Sequence, residues 1–458
     1  MVLSQAPDIS EKYLSLMLKE DVSVLCVNRS AKEKQSLPFR VLYEKNSSFW
    51  QQDENWEYFI SLESFMGIRE KSGGGRKKEA DIPAIELGYG DEYEEIASMS
   101  DAERIGKLDG CSARLSGLLA KKSAGEEEVA EALVDATKDA ALINHATIMN
   151  AVQLTNDDAK KATQRLVDST YDIVRSSAGL VSNNILNDEL VKSLVEKSNG
   201  TIVQHMTKVY LSGLSFLSYY NKLVSTSSFI HKLRLDVSKK YKDFYCDLMP
   251  HIHTNDLSLE RVFCKGMSII PANFLNDWAV GFLIHDIGKA PAIEYHEGEN
   301  AYNRDIVVEH VKVGYTSIIN KTNYPREAAL IAGYHHEYYG DSAGYGFFRA
   351  HLKHHKETHP YARQDFSIAY ELDQMLNFKA KAYFPAKILE IIDVFDSITD
   401  PNRKYRKHLS PQEAIAMMRE EFIEKHRKID PILFDIFAAY IREKENFEEV
   451  PPRGYGGR

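Results

Sequence analysis

The sequence predicts a predominantly α-helical protein in which a small α/β N-terminal domain and a helical linker precede a large all-helical domain. Three observations predict it. Apolar residues recur at spacings of three and four through EEEVAEALVDATKDAALINHATIMNAVQL and DDAKKATQRLVDSTYDIVRSSAGLV, which lays an apolar stripe along a helix. The short β-branched or aromatic runs VSVLCV and FRVLYE fall within the first 65 or so residues. From about Asn199 onward helical patterning continues, but histidines and acids sit inside strongly apolar contexts.

Taken in order, residues 1–70 read as the α/β domain: an amphipathic stretch SEKYLSLMLKED, the two strand-like runs, then WEYFISLESF. Nothing there carries chemistry. Residues 71–140 begin with KSGGGRKKEAD, whose glycines and basic cluster have the composition of a flexible surface loop, and pass into a helical linker. The linker helices could transmit a signal or simply pack as a bundle. Residues 141–448 form the helical domain, and residues 449–458 are expected to be a disordered tail.

At 458 residues the chain has room for two or three domains, each typically about 100 to 200 residues. Its composition, 43% hydrophobic and 27% charged, is that of a globular protein. No apolar run approaches the roughly 18 residues that span a bilayer, and MVLSQAPDISEKYL lacks the basic and apolar order of a signal peptide. The expectation is a cytoplasmic protein with no membrane insertion. Cys26, Cys111, Cys246 and Cys264 form no CxxC pair and read as buried thiols. A net charge of −10 argues against a general nucleic-acid partner, which needs basic surface to displace phosphate counterions, but leaves room for a small anionic ligand in a local cationic pocket.

The segment WAVGFLIHDIGKAPAIEY ends an apolar run in His285 and Asp286 and places Lys289 one helical turn after His285. Adjacent His and Asp offer one nitrogen and one or two oxygen donors at a single point, and Lys289 can reach an anion held there. Further on, IVVEHVKVGYTSI supplies His310, AALIAGYHHEYYGDSAGYGF supplies His335 and His336, and AKILEIIDVFDSITD supplies Asp393. A buried charge is costly unless paired or bound to a metal, so residues of this kind recurring in one order are hard to explain independently. Nitrogen and carboxylate donors with no nearby cysteine favour iron or manganese over a thiolate-rich zinc site. HLKHHKETHP, with His351, His354, His355 and His359, reads as a solvated helix rather than a second metal site.

The order of an early His, HDIGK, His310 with a following glycine, HHE, DVFDSIT and NRKYRK resembles the HD-GYP subfamily of the HD superfamily of phosphohydrolases, over roughly Asn199 to Phe447. The resemblance implies an all-helical HD-type fold and a binuclear iron or manganese centre held by His205, His285, Asp286, His310, His335, His336 and Asp393, with Asp286 bridging the metals. His231, His251 and His253 are rivals of His205 for the first ligand. Lys289 is implied to contact the scissile phosphate, and Arg403 and Arg406 the phosphates of a dinucleotide, a task that suits a planar guanidinium. The expected activity is hydrolysis of the bacterial second messenger cyclic di-GMP to pGpG by attack of a bridging hydroxide. A GGDEF or effector protein and a homodimer are the expected partners.

The chain departs from the pattern in three places. GDSAGYG stands where DGxGYP is usual, with Gly346 in the position of the proline; residues Phe347 to Ala386 are an insertion; and Thr201 replaces the Glu that holds a third metal in some members. Two other readings stay open: an HD hydrolase of another cyclic dinucleotide or nucleotide, and a non-catalytic cyclic di-GMP receptor.

Overall fold

A computed structural model describes residues 23–28, 34–38, 56–60, 91–121, 124–183, 191, 193–195, 201–249, 252–263, 266–289, 304–339, 346, 383–401 and 408–447. The chain divides into two compact units, Met1–Pro83 and Ala84–Arg458.

In the first unit, β1 (Ser23–Asn28) pairs antiparallel with β2 (Lys34–Pro38) on one side and with β3 (Trp56–Ile60) on the other, giving the order β2-β1-β3. Val24 faces Leu37 and Ile60 across the two ladders and is fully buried. The expected strand FRVLYE and the amphipathic stretch before β1 lie outside the described residues.

The second unit is helical throughout its main elements, so the protein is predominantly α. Helix α1 (Asp91–Ser98) leads through a capping box, in which Ser100 and Glu103 satisfy each other's backbone amides, into α2 (Asp101–Ala120). Helix α3 (Glu126–Ala151) is rich in alanine and buried on nearly every side, as befits the centre of a bundle; α4 (Asn156–Asn183) packs beside it. Ile96, Leu108, Leu115, Leu118, Val129 and Leu133, from the stretch read as linker, belong to the same continuous core as the helices that follow.

Helix α5 (Thr201–Val224) crosses α3 and packs on α9 (Ala272–Leu283) and α12 (Phe384–Thr399). Between α5 and α9 run the shorter α6 (Ser227–Val237), α7 (Lys242–Leu248) and α8 (Leu259–Val262). Helices α10 (Arg304–Lys321) and α11 (Arg326–Tyr334) form a hairpin, and α11 lies against α9 and α12. The close approach of α9 to α11 needs Gly281, where a Cβ would stand 3.2 Å from the Ala328 Cα. A second capping box at Ser410 and Glu413 opens α13 (Pro411–Met418), which widens into a π-helical turn over Arg419–Glu424. Asp430 caps α14 (Pro431–Glu445) and also accepts hydrogen bonds from Tyr245 and Tyr339. No helix among the described residues is long and apolar enough to cross a membrane.

Candidate metal centre

Where α5, α9, α10, α11 and α12 meet, seven polar side chains are buried together. His205 is 3% exposed, His285, Asp286 and His335 are wholly covered, and His310, His336 and Asp393 are 1%, 7% and 6% exposed. The apolar run of α9 ends at Leu283, and the chain then turns through residues 284–289, with Ile287 N–H donating to the Ile284 oxygen and Lys289 N–H to the Asp286 oxygen. This turn aims His285 and Asp286 back into the helices. α11 likewise ends at Tyr334, so His335 and His336 occupy the turn after it.

The hydrogen bonds fix which nitrogen each ring presents. His285 Nδ1 lies 2.8 Å from the Phe282 oxygen and His335 Nδ1 2.9 Å from the Ala332 oxygen. A carbonyl only accepts, so both rings carry the proton on Nδ1 and turn an Nε2 lone pair inward. His205 Nδ1 is held by Asp396 Oδ2 at 2.7 Å, the backing carboxylate that orients many metal-bound histidines.

Asp286 lies between two histidine groups. Its Oδ2 is 3.5 Å from Nε2 of His205 and of His285, and its Oδ1 is 3.3 Å from His310 Nε2 and 3.7 Å from His335 Nε2. Asp393 spans a similar gap, with Oδ1 2.9 Å from His205 Nε2 and Oδ2 3.8 Å from His336 Nδ1. The donors of His205, His285 and Asp286 lie within 4.8 Å of one another, as do those of His310, His335 and His336. His310 and His335 bring their Nε2 atoms to 3.3 Å.

Burial opposes charge on both carboxylates, yet Lys289 and the imidazoles hold Asp286 well below the usual carboxylate range, and His205 and His336 do the same for Asp393. Burial pushes His285 down to about 4 and, together with His335, pushes His336 well below its ordinary value. Burial also opposes protonation of His205, but Asp393 and Asp396 overcome it and raise this ring to about 9. The Lys289 ammonium pairs with Asp286 Oδ2.

These residues fit a divalent cation. His285 Nε2 is buried without a hydrogen bond, an arrangement that costs free energy unless something cationic meets its lone pair. Imidazole and carboxylate donors are the set that iron, manganese and related metals accept. Both groups could therefore hold metal ions.

Of the expected ligands, His205, His285, Asp286, His310, His335, His336 and Asp393 all come together. His231 and His253 are exposed and belong to neither donor group, and His251 lies outside the described residues. Arg403, Arg406, the loop from Gly340 to Tyr345 and the four histidines of HLKHHKETHP also lie outside them. Two residues of the site were missed in the sequence. Asp396 follows Asp393 by three in DVFDSIT, one helical turn on. His145, in the apolar run INHATIM, has its Nε2 3.1 Å from the Lys289 backbone oxygen.

None of the family models, curated proteins or solved structures compared with the chain matches it.

Proposed function

We propose that the helical unit is an HD-GYP-type metal-dependent phosphodiesterase that hydrolyses cyclic di-GMP to pGpG at a binuclear iron or manganese centre. The observation that carries this reading is the position of Asp286, one oxygen toward His205 and His285 and the other toward His310 and His335. A structural polar cluster would satisfy its own donors and acceptors, whereas this one leaves the His285 Nε2 lone pair without a hydrogen bond.

His205 and His285 would hold one ion and His310, His335 and His336 the other, with Asp286 and Asp393 spanning the two groups. A pair of divalent cations, when bound, supplies a water of lowered pKa and neutralises charge on phosphoryl oxygens. The protein's own part is to orient and exclude. The Phe282 and Ala332 carbonyls and Asp396 keep the ligand rings in one tautomer and one orientation. The near-complete burial keeps competing bulk water out. Lys289, beside Asp286, places a positive charge where the scissile phosphate arrives, and the forked guanidinia of Arg403 and Arg406 are proposed to hold the phosphates of the dinucleotide. A GGDEF or effector protein and a second copy of the chain are the partners this reading expects.

The test is anaerobic purification with manganese or ferrous iron, metal analysis, and chromatography of a cyclic di-GMP digest. Two metals per chain with appearance of pGpG is the expected result. Two metals without turnover points to another nucleotide substrate, and no metal with tight cyclic di-GMP binding to a receptor.

A further inference from the structure

His145 lies in the interior of α3 with no exposed surface, hydrogen-bonded through both ring nitrogens. Its Nε2 is 3.1 Å from the backbone oxygen of Lys289 and its Nδ1 is 3.2 Å from the Tyr93 hydroxyl. The Tyr93 ring meets it edge-on, with centroids 5.2 Å apart. The protons follow from the partners. A carbonyl oxygen only accepts, so Nε2 carries the hydrogen; Nδ1 then offers a lone pair, and Tyr93 donates to it. Burial pushes the imidazole down to about 4, so this neutral form persists at physiological pH.

Where the two bonds lead gives the ring its significance. Lys289 closes the turn that carries His285 and Asp286, a segment held by two short-range backbone bonds rather than by a helix ladder. Tyr93 lies on α1, the first described helix of the second unit, which follows directly on the stretch leading from the first. Packing alone would be served by leucine, which needs no hydrogen-bond partners in an apolar interior.

We propose that His145 is a positioning residue that fixes the Lys289 turn against α3 and, through Tyr93, makes the seating of α1 felt at the turn holding Asp286 and Lys289. Its effect on turnover rests on the phosphodiesterase reading above; the fixing of the turn does not.

The experiment uses the full-length protein with His145→Leu, which removes both bonds, His145→Gln, whose amide N–H can replace the donor to Lys289, and Tyr93→Phe, which removes one hydroxyl. Amide hydrogen exchange is followed by mass spectrometry in peptides covering Ile287 and Lys289, without added metal. In His145→Leu these amides are expected to exchange on the order of tenfold faster, since a typical hydrogen bond is worth about that factor. His145→Gln should restore much of the protection. Tyr93→Phe, which keeps the ring and so the fold, should loosen both α1 and the turn, and decides the matter if His145→Leu fails to fold.

Unchanged exchange in the turn of Tyr93→Phe and His145→Leu overturns the positioning role, as does a nitrogen-15 spectrum showing His145 protonated on Nδ1. Metal-loaded His145→Leu should keep its metal content and lose kcat by about the same factor. If the parent chain hydrolyses no cyclic dinucleotide while the exchange pattern holds, the phosphodiesterase reading fails and the positioning role stands. If it hydrolyses cyclic di-GMP and both exchange and kcat ignore the substitutions, the reverse is true.

Discussion

Gly288 has no side chain, and that lets the turn bearing Asp286 rest on α10. A Cβ there would overlap the His310 carbonyl oxygen and stand 2.6 Å from the Gly314 nitrogen, both backbone atoms that cannot rotate away. Gly288→Ala is therefore expected to part Asp286 from His310, at a cost of about 1 to 3 kcal/mol and with loss of bound metal. Thermal unfolding with metal analysis checks this; an unshifted midpoint with full metal content would refute it. Gly346, which stands where the HD-GYP signature that the loop resembles has proline, is equally confined, since a Cβ would lie 2.6 Å from the Glu337 Cβ. Gly346→Pro should thus destabilise the protein, a result read from the same unfolding curves. Asp286→Ala should abolish metal binding and hydrolysis together, and retention of either would mean that the site is misplaced. At this scale the sequence exposed the candidate metal ligands better than the groups that support them. His285, Asp286, His335 and His336 stood out because polar groups ending apolar runs are costly. Asp396 and His145 did not, because an acid one turn beyond another acid, or a lone histidine in an apolar helix, looks the same whether or not it backs a ligand.

Elements were legible where one face is apolar, as in α4, because the 3.6-residue period marks the buried stripe whatever it packs against. What covers that stripe is a matter of contacts distant in sequence, so the incorporation of α1 and α2 into the main core could not be read from their spacing. In the sheet, β2 is formed by Lys34–Pro38, just before the FRVLYE run whose composition predicts a strand. Helix α12 carries a further consequence of burial. Lys387 and Glu390, one turn apart, pair at 2.8 Å, and Lys387 also donates to the Glu337 backbone oxygen in the turn of His335 and His336. Burial raises Glu390 from 4.5 to about 7 despite Lys387. Because the folded value exceeds the unfolded one, the fold binds an extra proton between them. The stabilisation from this group is complete below about 4.5 and is lost as pH rises through about 7. At about 1.4 kcal/mol per pH unit the loss is on the order of 3 kcal/mol. The metal-free parent should lose stability relative to Glu390→Gln between pH 5 and 7.5; parallel unfolding midpoints across that range would refute the assignment.

At the scale of the whole molecule, the donors span residues 205 to 393 and come together only in the folded unit. An ion bound to the fold and not to the open chain stabilises by mass action, about 2.7 kcal/mol at a hundredfold excess over its dissociation constant. Manganese should therefore raise the unfolding midpoint by on the order of 5 °C, and EDTA should reverse the rise; a midpoint indifferent to both would argue against a metal centre. The covering of the donors also governs time: His285, Asp286 and His335 are wholly covered, whereas His336 and Asp393 keep a few per cent of their surface. An ion there leaves either by the opening that the proposed reaction needs for its phosphate or only when the surrounding helices part. Stripping by EDTA at a rate that climbs with EDTA concentration is expected of a centre open to substrate, whereas one first-order rate at every EDTA concentration would mean a closed centre and argue against hydrolysis there.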